Sequence, residues 1–206
     1  MADGKFITFE GIEGCGKTTQ IKLLNEYLQS KGFKTILTRE PGGTTIGDKI
    51  RQILLDPANK KMHPLTELLL YGASRAQHVE ELIRPALSEG KIVLCDRYSD
   101  STTAYQGAAR RVDKKILASL DAIATSGLVP DITIVVDVAP TVGLSRVAGR
   151  GAPDRFEQET LAFHERVRQG YLTLAKGNPK RVKIVDGSKE IEEVHGEIIK
   201  VIEKFL

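Results

Sequence analysis

The stretch Gly11-Ile12-Glu13-Gly14-Cys15-Gly16-Lys17-Thr18 decides the fold. It fits the phosphate-binding pattern G-x-x-x-x-G-K-[ST] with nothing missing. Just before it, Lys5 to Glu10 alternates apolar and polar side chains as a strand does. Just after it, Thr19 to Lys31 carries Ile21, Leu24 and Leu28 on one helical face. Strand, glycine-rich turn and helix in that order are the context the chemistry needs. Glycines let consecutive N–H groups converge on phosphate oxygens, and the helix N-terminus adds partial positive charge. Residues 11–18 (Gly11, Ile12, Glu13, Gly14, Cys15, Gly16, Lys17 and Thr18) therefore read as the cradle of a nucleoside triphosphate. Lys17 reaches the terminal phosphates and the Thr18 hydroxyl ligates Mg²⁺, with Asp96 a further candidate for the metal through water.

Outward from this unit, apolar runs recur with helical patterns between them. Strands are expected at Phe6 to Glu10, Thr35 to Thr38, Ile92 to Asp96, Ile132 to Asp137 and Val182 to Asp186. Helices are expected at Lys17 to Lys31, Leu65 to Ile83, Lys114 to Thr125, Thr141 to Ala148, Thr160 to Ala175 and Ile191 to Phe205. Alternation of β and α predicts a three-layer α/β/α fold of the P-loop NTPase type, with a parallel sheet covered on both faces. No repeat or linker interrupts the pattern, so 1–206 is read as one domain. Arg39 to Gly47 and Gly149 to Arg155, rich in Gly, Pro and charge, are expected as loops. Ligands of such folds sit beyond the carboxyl ends of the strands, which here carry Glu10, Arg39, Asp96 and Asp137.

The bulk chemistry excludes several classes. With 30 Lys and Arg against 27 Asp and Glu the net charge is only +3, too small to argue for nucleic-acid binding. Two cysteines, Cys15 and Cys95, provide no disulfide framework and read as reduced thiols of a cytoplasmic protein. The most apolar candidate, Ile132 to Val138, has strand length only, so no membrane span is expected.

The acceptor is written in other segments. Asp96-Arg97-Tyr98 ends the third strand, and an arginine placed there can clamp a phosphate bidentately. If the following residues are helical, Arg97, Ser101 and Tyr105 share one face and offer a charge clamp, a hydroxyl and an aromatic ring. Tyr71 and Arg75, four apart, can enter one pocket, the ring to stack on a base and the guanidinium to donate to its carbonyls. In Arg39-Glu40-Pro41-Gly42-Gly43-Thr44, proline and glycines fix a turn, Glu40 can hold neighbouring cations, and Arg51 can add a second phosphate contact. Arg146, Arg150 and Arg155 surround a glycine-flanked segment, 146–157, that reads as a lid closing over the triphosphate to exclude water. Arg150 is the candidate for neutralising charge in the transition state.

These residues together resemble the bacterial thymidylate kinases, within the nucleoside monophosphate kinases. The resemblance runs nearly end to end. It rests on Phe9-Glu10-Gly11 leading into the loop, on 39–44, on Ala73-Ser74-Arg75 and on Asp96-Arg97-Tyr98. It also rests on Ser101, on Ala104-Tyr105-Gln106-Gly107 and on Asp154-Arg155-Phe156-Glu157. It implies ATP- and Mg²⁺-dependent transfer of a phosphoryl group to dTMP, five parallel strands, a homodimer, and no nucleic-acid or membrane partner. By position it puts Tyr71 on thymine, Arg75 on its carbonyl, Ser101 and Gln106 in the base pocket, and Tyr105 under the sugar. Arg97 with Arg51 holds the acceptor phosphate, Glu13 lies near the acceptor's sugar, and Glu40 belongs to the dTMP site. Arg146 belongs to the ATP site. No basic residue stands at 12–15, as in the branch whose catalytic cation, here Arg150, comes from the lid. One departure stands out: the family commonly has Phe where this chain has Tyr71, so a hydroxyl needs a partner.

Two competing readings have distinct signatures. A deoxynucleoside kinase needs a carboxylate base and no phosphate clamp, against which the pair Arg51 and Arg97 argues. A GTPase-type switch needs an Asn-Lys-x-Asp segment, which is missing from the sequence.

Overall fold

The computed structural model describes residues 4–149 and 152–206. Five strands, β1 (Lys5–Glu10), β2 (Thr35–Arg39), β3 (Ile92–Asp96), β4 (Ile132–Asp137) and β5 (Val182–Asp186), form one sheet in the order β2-β3-β1-β4-β5. All neighbouring pairs are parallel, so β1 is central and every carboxyl end opens on the same edge. The strands lie within one residue of the positions expected from the apolar runs.

Period-2 alternation distributes the core to both faces. Ile7 and Phe9 of β1 and Ile92 and Leu94 of β3 face the larger core with α1 (Lys17–Ser30), α8 (Leu161–Gly177) and α9 (Ile191–Glu203). Phe6, Val93 and Cys95 face the other side, against Val79, Ile83 and Ala86. Those last residues belong to one long helical rod: α3 (Pro64–His78), a π-helical turn (Val79–Ile83) and α4 (Arg84–Ser88). The expected helix thus extends past Ile83, because the π turn passes straight into a further turn opened by Pro85 at its first positions.

Two other segments depart from the sequence pattern. The loop expected over 39–47 ends early, since Thr44 caps α2 (Thr45–Leu55) by accepting from the Gly47 N–H at 3.0 Å. Arg97, Ser101 and Tyr105 do not share a regular α-helix. Arg97 has φ 71°, α5 (Ser99–Thr102) lasts one turn, and Thr103–Ala109 is π-helical. Among the described residues the remaining helices are a short 3-10 turn (Pro57–Asn59), α6 (Lys114–Thr125) and α7 (Pro140–Val147). Both cysteines are buried free thiols.

Candidate active site

At the end of β1 the chain turns through the loop into α1, and glycine is required where the loop meets α7. A Cβ on Gly14 would lie 2.0 Å from the Gly143 carbonyl oxygen, and Gly14 has φ 68°. The loop's lysine is enclosed: Lys17 Nζ donates to the carbonyls of Gly11 at 3.0 Å and Ile12 at 2.8 Å. The Thr18 hydroxyl donates to Asp96 Oδ2 at 3.1 Å, so the two expected metal-site residues do meet. A hydroxyl and a carboxylate are hard oxygen donors of the kind Mg²⁺ takes. Beside the loop lies a cavity of about 420 Å³ lined by residues 14–20, Arg146 and residues 187–191 with Val194. Arg146 donates to the Gly187 carbonyl at 3.0 Å. The far wall, Gly187 to Ile191, carries no sequence signal. It reaches the loop only because β5 ends next to β4, with the Gly187 N–H donating to the Asp137 carbonyl at 2.9 Å.

On the other side of the loop is a second cavity, about 130 Å³, lined by Glu13, Glu40, Arg51, Tyr71, Arg75, Arg97, Ser101, Tyr105 and Gln106. These are all nine residues expected at the acceptor. Pro41, Leu55, Tyr98, Thr102, Asp154 and Phe156 complete the wall. Phe156 was legible only as part of the lid pattern, yet it packs edge-on to Tyr105 at 5.6 Å and lies 6.3 Å from the Tyr71 ring. Burial, with Glu67 second, pushes the Tyr71 hydroxyl far above its ordinary value, so it stays protonated.

Arg97 is the hinge between the two cavities. Its left-handed backbone is unusual for a residue with a Cβ, and its N–H donates to the Phe9 carbonyl at 2.9 Å. Its guanidinium donates to the Gly11 carbonyl at 2.9 Å, to Glu13 Oε1 at 3.1 Å and to the Tyr171 hydroxyl at 3.2 Å. The Gly11 carbonyl therefore accepts from Lys17 of the first cavity and from Arg97 of the second. Burial opposes the Arg97 charge, but the surrounding Tyr105, Tyr171, Glu13 and Asp96 hold its pKa well above normal.

Two carboxylates at the loop titrate in opposite directions. Glu10 is fully buried and accepts from the Tyr98 N–H at 2.7 Å, the Ser101 hydroxyl at 2.6 Å and the Tyr171 hydroxyl at 2.8 Å. Burial, reinforced by Asp100, pushes it up to about 7 despite those donors. Burial also works against ionised Glu13, but His164, Arg97, Lys17 and Tyr105 outweigh it and bring Glu13 down to about 2. Tyr105 donates to Glu13 Oε1 at 2.6 Å. His164 Nδ1 stands 3.2 Å from Glu13 Oε2 and helps to hold that carboxylate ionised. Tyr171 and His164 lie seven apart on α8, and nothing in the sequence says that this helix packs under the loop.

Several side chains expected at the acceptor make contacts within the protein. Arg75 donates to Glu40 Oε2 at 2.8 Å and to the Thr102 hydroxyl at 3.0 Å, leaving Nη2 without an acceptor among the described residues. Glu40 also meets His78 Nδ1 at 3.0 Å, and through Arg75 it anchors a cation, as its loop position suggested. Ser101 gives its hydrogen to Glu10. Arg51 donates to the Pro41 carbonyl at 2.9 Å. Of the three lid arginines, Arg155 does not face the triphosphate. It is buried at the root of the lid, donating to Glu67 Oε2 and to the Leu54 carbonyl at 2.8 Å. Arg150 lies outside the described residues.

A phosphate loop at the head of the central strand, with a cationic pocket facing it across one carbonyl, marks a P-loop phosphotransferase that brings two anionic substrates together. The family model described as thymidylate kinase matches residues 9–198. Similar proteins include thymidylate kinases of Geotalea daltonii, 56% identical with 92% of each chain covered, and Thermoanaerobacter sp. strain X514, 51% identical over 98% of this chain and 99% of the other. The crystal structure of thymidylate kinase from Ehrlichia chaffeensis matches with a TM-score of 0.79 at 38% identity, covering 98% of this chain and 99% of that one. The chain belongs to the thymidylate kinase family.

Proposed function

We propose that the chain performs its family's reaction by seating ATP on 11–18 and dTMP in the cavity of Arg97. It transfers the γ-phosphoryl of ATP to dTMP, giving dTDP and ADP. The observation that carries this reading is the shared Gly11 carbonyl, which sets Lys17 and Arg97 side by side at the junction of the two cavities. The acceptor phosphate monoester is already an anion near neutral pH, so no general base is needed. What opposes reaction is repulsion between two polyanions, and oriented cations offset it. Lys17 holds the terminal phosphates, Arg97 and Arg51 hold the acceptor phosphate, and Tyr71 and Phe156 enclose the base. Tyr105 supports the sugar. Arg146 and the wall from Gly187 to Ile191 bound the ATP side. Thr18 and Asp96 would hold Mg²⁺, which supplies charge neutralisation on the ATP phosphates. Arg150, from the sequence pattern alone, supplies the lid's cation. The reaction is tested by an acceptor screen with ATP and Mg²⁺ against the nucleoside monophosphates and thymidine. Turnover of dTMP well above all others is expected, and preference for thymidine would overturn the reading.

The protein acts as one domain in the cytoplasm and as a homodimer. No described helix is long and apolar enough to cross a membrane. Support for the dimer is an exposed apolar set on α2, α3 and α6, comprising Ile46, Ile53, Leu65, Leu69, Ile116 and Ile123. Ile123 is 74% exposed, which is costly unless covered. Sedimentation of the purified chain at twice the monomer mass is expected.

A further inference from the structure

Glu67, on α3, is 1% exposed and does not line the acceptor cavity, yet Gln106 of the cavity wall and two arginines outside it, Arg110 and Arg155, converge on it. Gln106 donates through Nε2 to Glu67 Oε1 at 2.8 Å. Arg110 donates to the same oxygen at 3.4 Å, and Arg155 at the lid root donates to Oε2. The carboxylate therefore joins the π-helical segment that carries Gln106 to the segment that carries the lid.

The chemistry of the pair fixes an orientation. A carboxylate clasped by two guanidinium groups offers only acceptor lone pairs, whereas a glutamine amide has one donor end and one acceptor end. The end facing Glu67 must be the NH₂ group. The Gln106 carbonyl is then turned away from Glu67, and no described residue donates to it, although the side chain lines the cavity. The wall thus presents an acceptor that cannot turn over into a donor. A base with a hydrogen on N3, as in thymine, satisfies it; cytosine, with a lone pair on N3, is repelled by it.

We infer that Glu67 is a positioning residue for base selection: it locks the Gln106 amide so that the cavity accepts pyrimidine monophosphates carrying N3–H and rejects those without. This rests on the assignment of the cavity to dTMP. Glu67→Gln tests it, because an amide can receive Gln106 by either end and the lock is lost. Steady-state kinetics with dTMP and dCMP should show kcat/KM for dTMP falling about tenfold, mostly through KM, and the dTMP-to-dCMP ratio falling by about tenfold. A purely structural residue would weaken both acceptors alike, so an unchanged ratio overturns the inference. If Glu67→Gln does not fold, Glu67→Asp keeps the charge for Arg155 and Arg110 but withdraws the oxygens by about 1.5 Å. The same fall in ratio is expected, and an unchanged ratio again overturns the inference. Failure of the unaltered protein to phosphorylate dTMP would instead remove the reading of the cavity, and this inference with it.

Discussion

Replacing Glu13 by Gln removes one negative charge from the junction of the two cavities while keeping shape and hydrogen-bonding reach. In the folded protein the Glu13 carboxyl is brought from 4.5 down to about 2. At about 1.36 kcal/mol per pH unit that difference corresponds to roughly 3 kcal/mol. The side chain is 12% exposed, so solvent screening reduces the figure to about 2–3 kcal/mol. The sign follows from linkage: a depressed carboxyl stabilises the fold above its unfolded pKa, and that stability is lost as pH falls through the folded value. Urea unfolding of both proteins should show Glu13→Gln less stable by about 2–3 kcal/mol at pH 7, with the gap constant down to about pH 5. The gap should then narrow between pH 4.5 and pH 2. Activity should fall as well, since Arg97 and Tyr105 both donate to this carboxylate, and the KM for dTMP should rise more than that for ATP. A gap below about 0.5 kcal/mol at pH 7, or one that persists unchanged in acid, would refute the account of how these cations are held.

Glu10 makes the opposite prediction. Burial raises it from 4.5 to about 7, so between those values the folded protein keeps a proton that the unfolded chain has lost. The stability of the unaltered protein relative to Glu10→Gln should therefore drop by about 3 kcal/mol from pH 4.5 to pH 7 in urea titrations, and a flat difference would exclude it. Arg97→Ala should raise the KM for dTMP by about 10- to 100-fold, the scale of one or two charged hydrogen bonds, while the KM for ATP changes little. Equal loss for both substrates in initial-rate assays would count against a role at the acceptor. Arg150→Ala should lower kcat by well over tenfold, and turnover within a factor of about two of the unaltered protein would end its catalytic assignment.

The legible part of this molecule was the part encoded in short range. The loop 11–18, the five apolar strand runs and the α1 stripe of Ile21, Leu24 and Leu28 each depend on neighbours a few residues apart, where backbone conformation and period are decided. Residues that touch after folding were legible only when they carried chemistry of their own, as Arg97, Tyr105 and Gln106 do. Glu67, His164 and Tyr171 gave no sign, because a carboxylate, an imidazole or a phenol on a helix reads as an ordinary surface group until its burial is known. Arg155, which in the sequence only borders the glycine-flanked lid, is in the structure claimed by a buried carboxylate from α3.

What the sequence by itself determined is the class of fold and the kind of ligand: backbone N–H groups converge on phosphate wherever glycines, a preceding strand and a following helix occur in that order. Tertiary structure alone decided which side chains become partners. The order β2-β3-β1-β4-β5 brings the loops after β1 and β3 together, and so places Lys17 and Arg97 on one carbonyl oxygen. The same packing set Glu10 and Glu13, three residues apart, on opposite sides of their ordinary pKa. Charge and hydrogen-bond energies depend on distance and on the loss of water, and neither exists until the chain has closed around them.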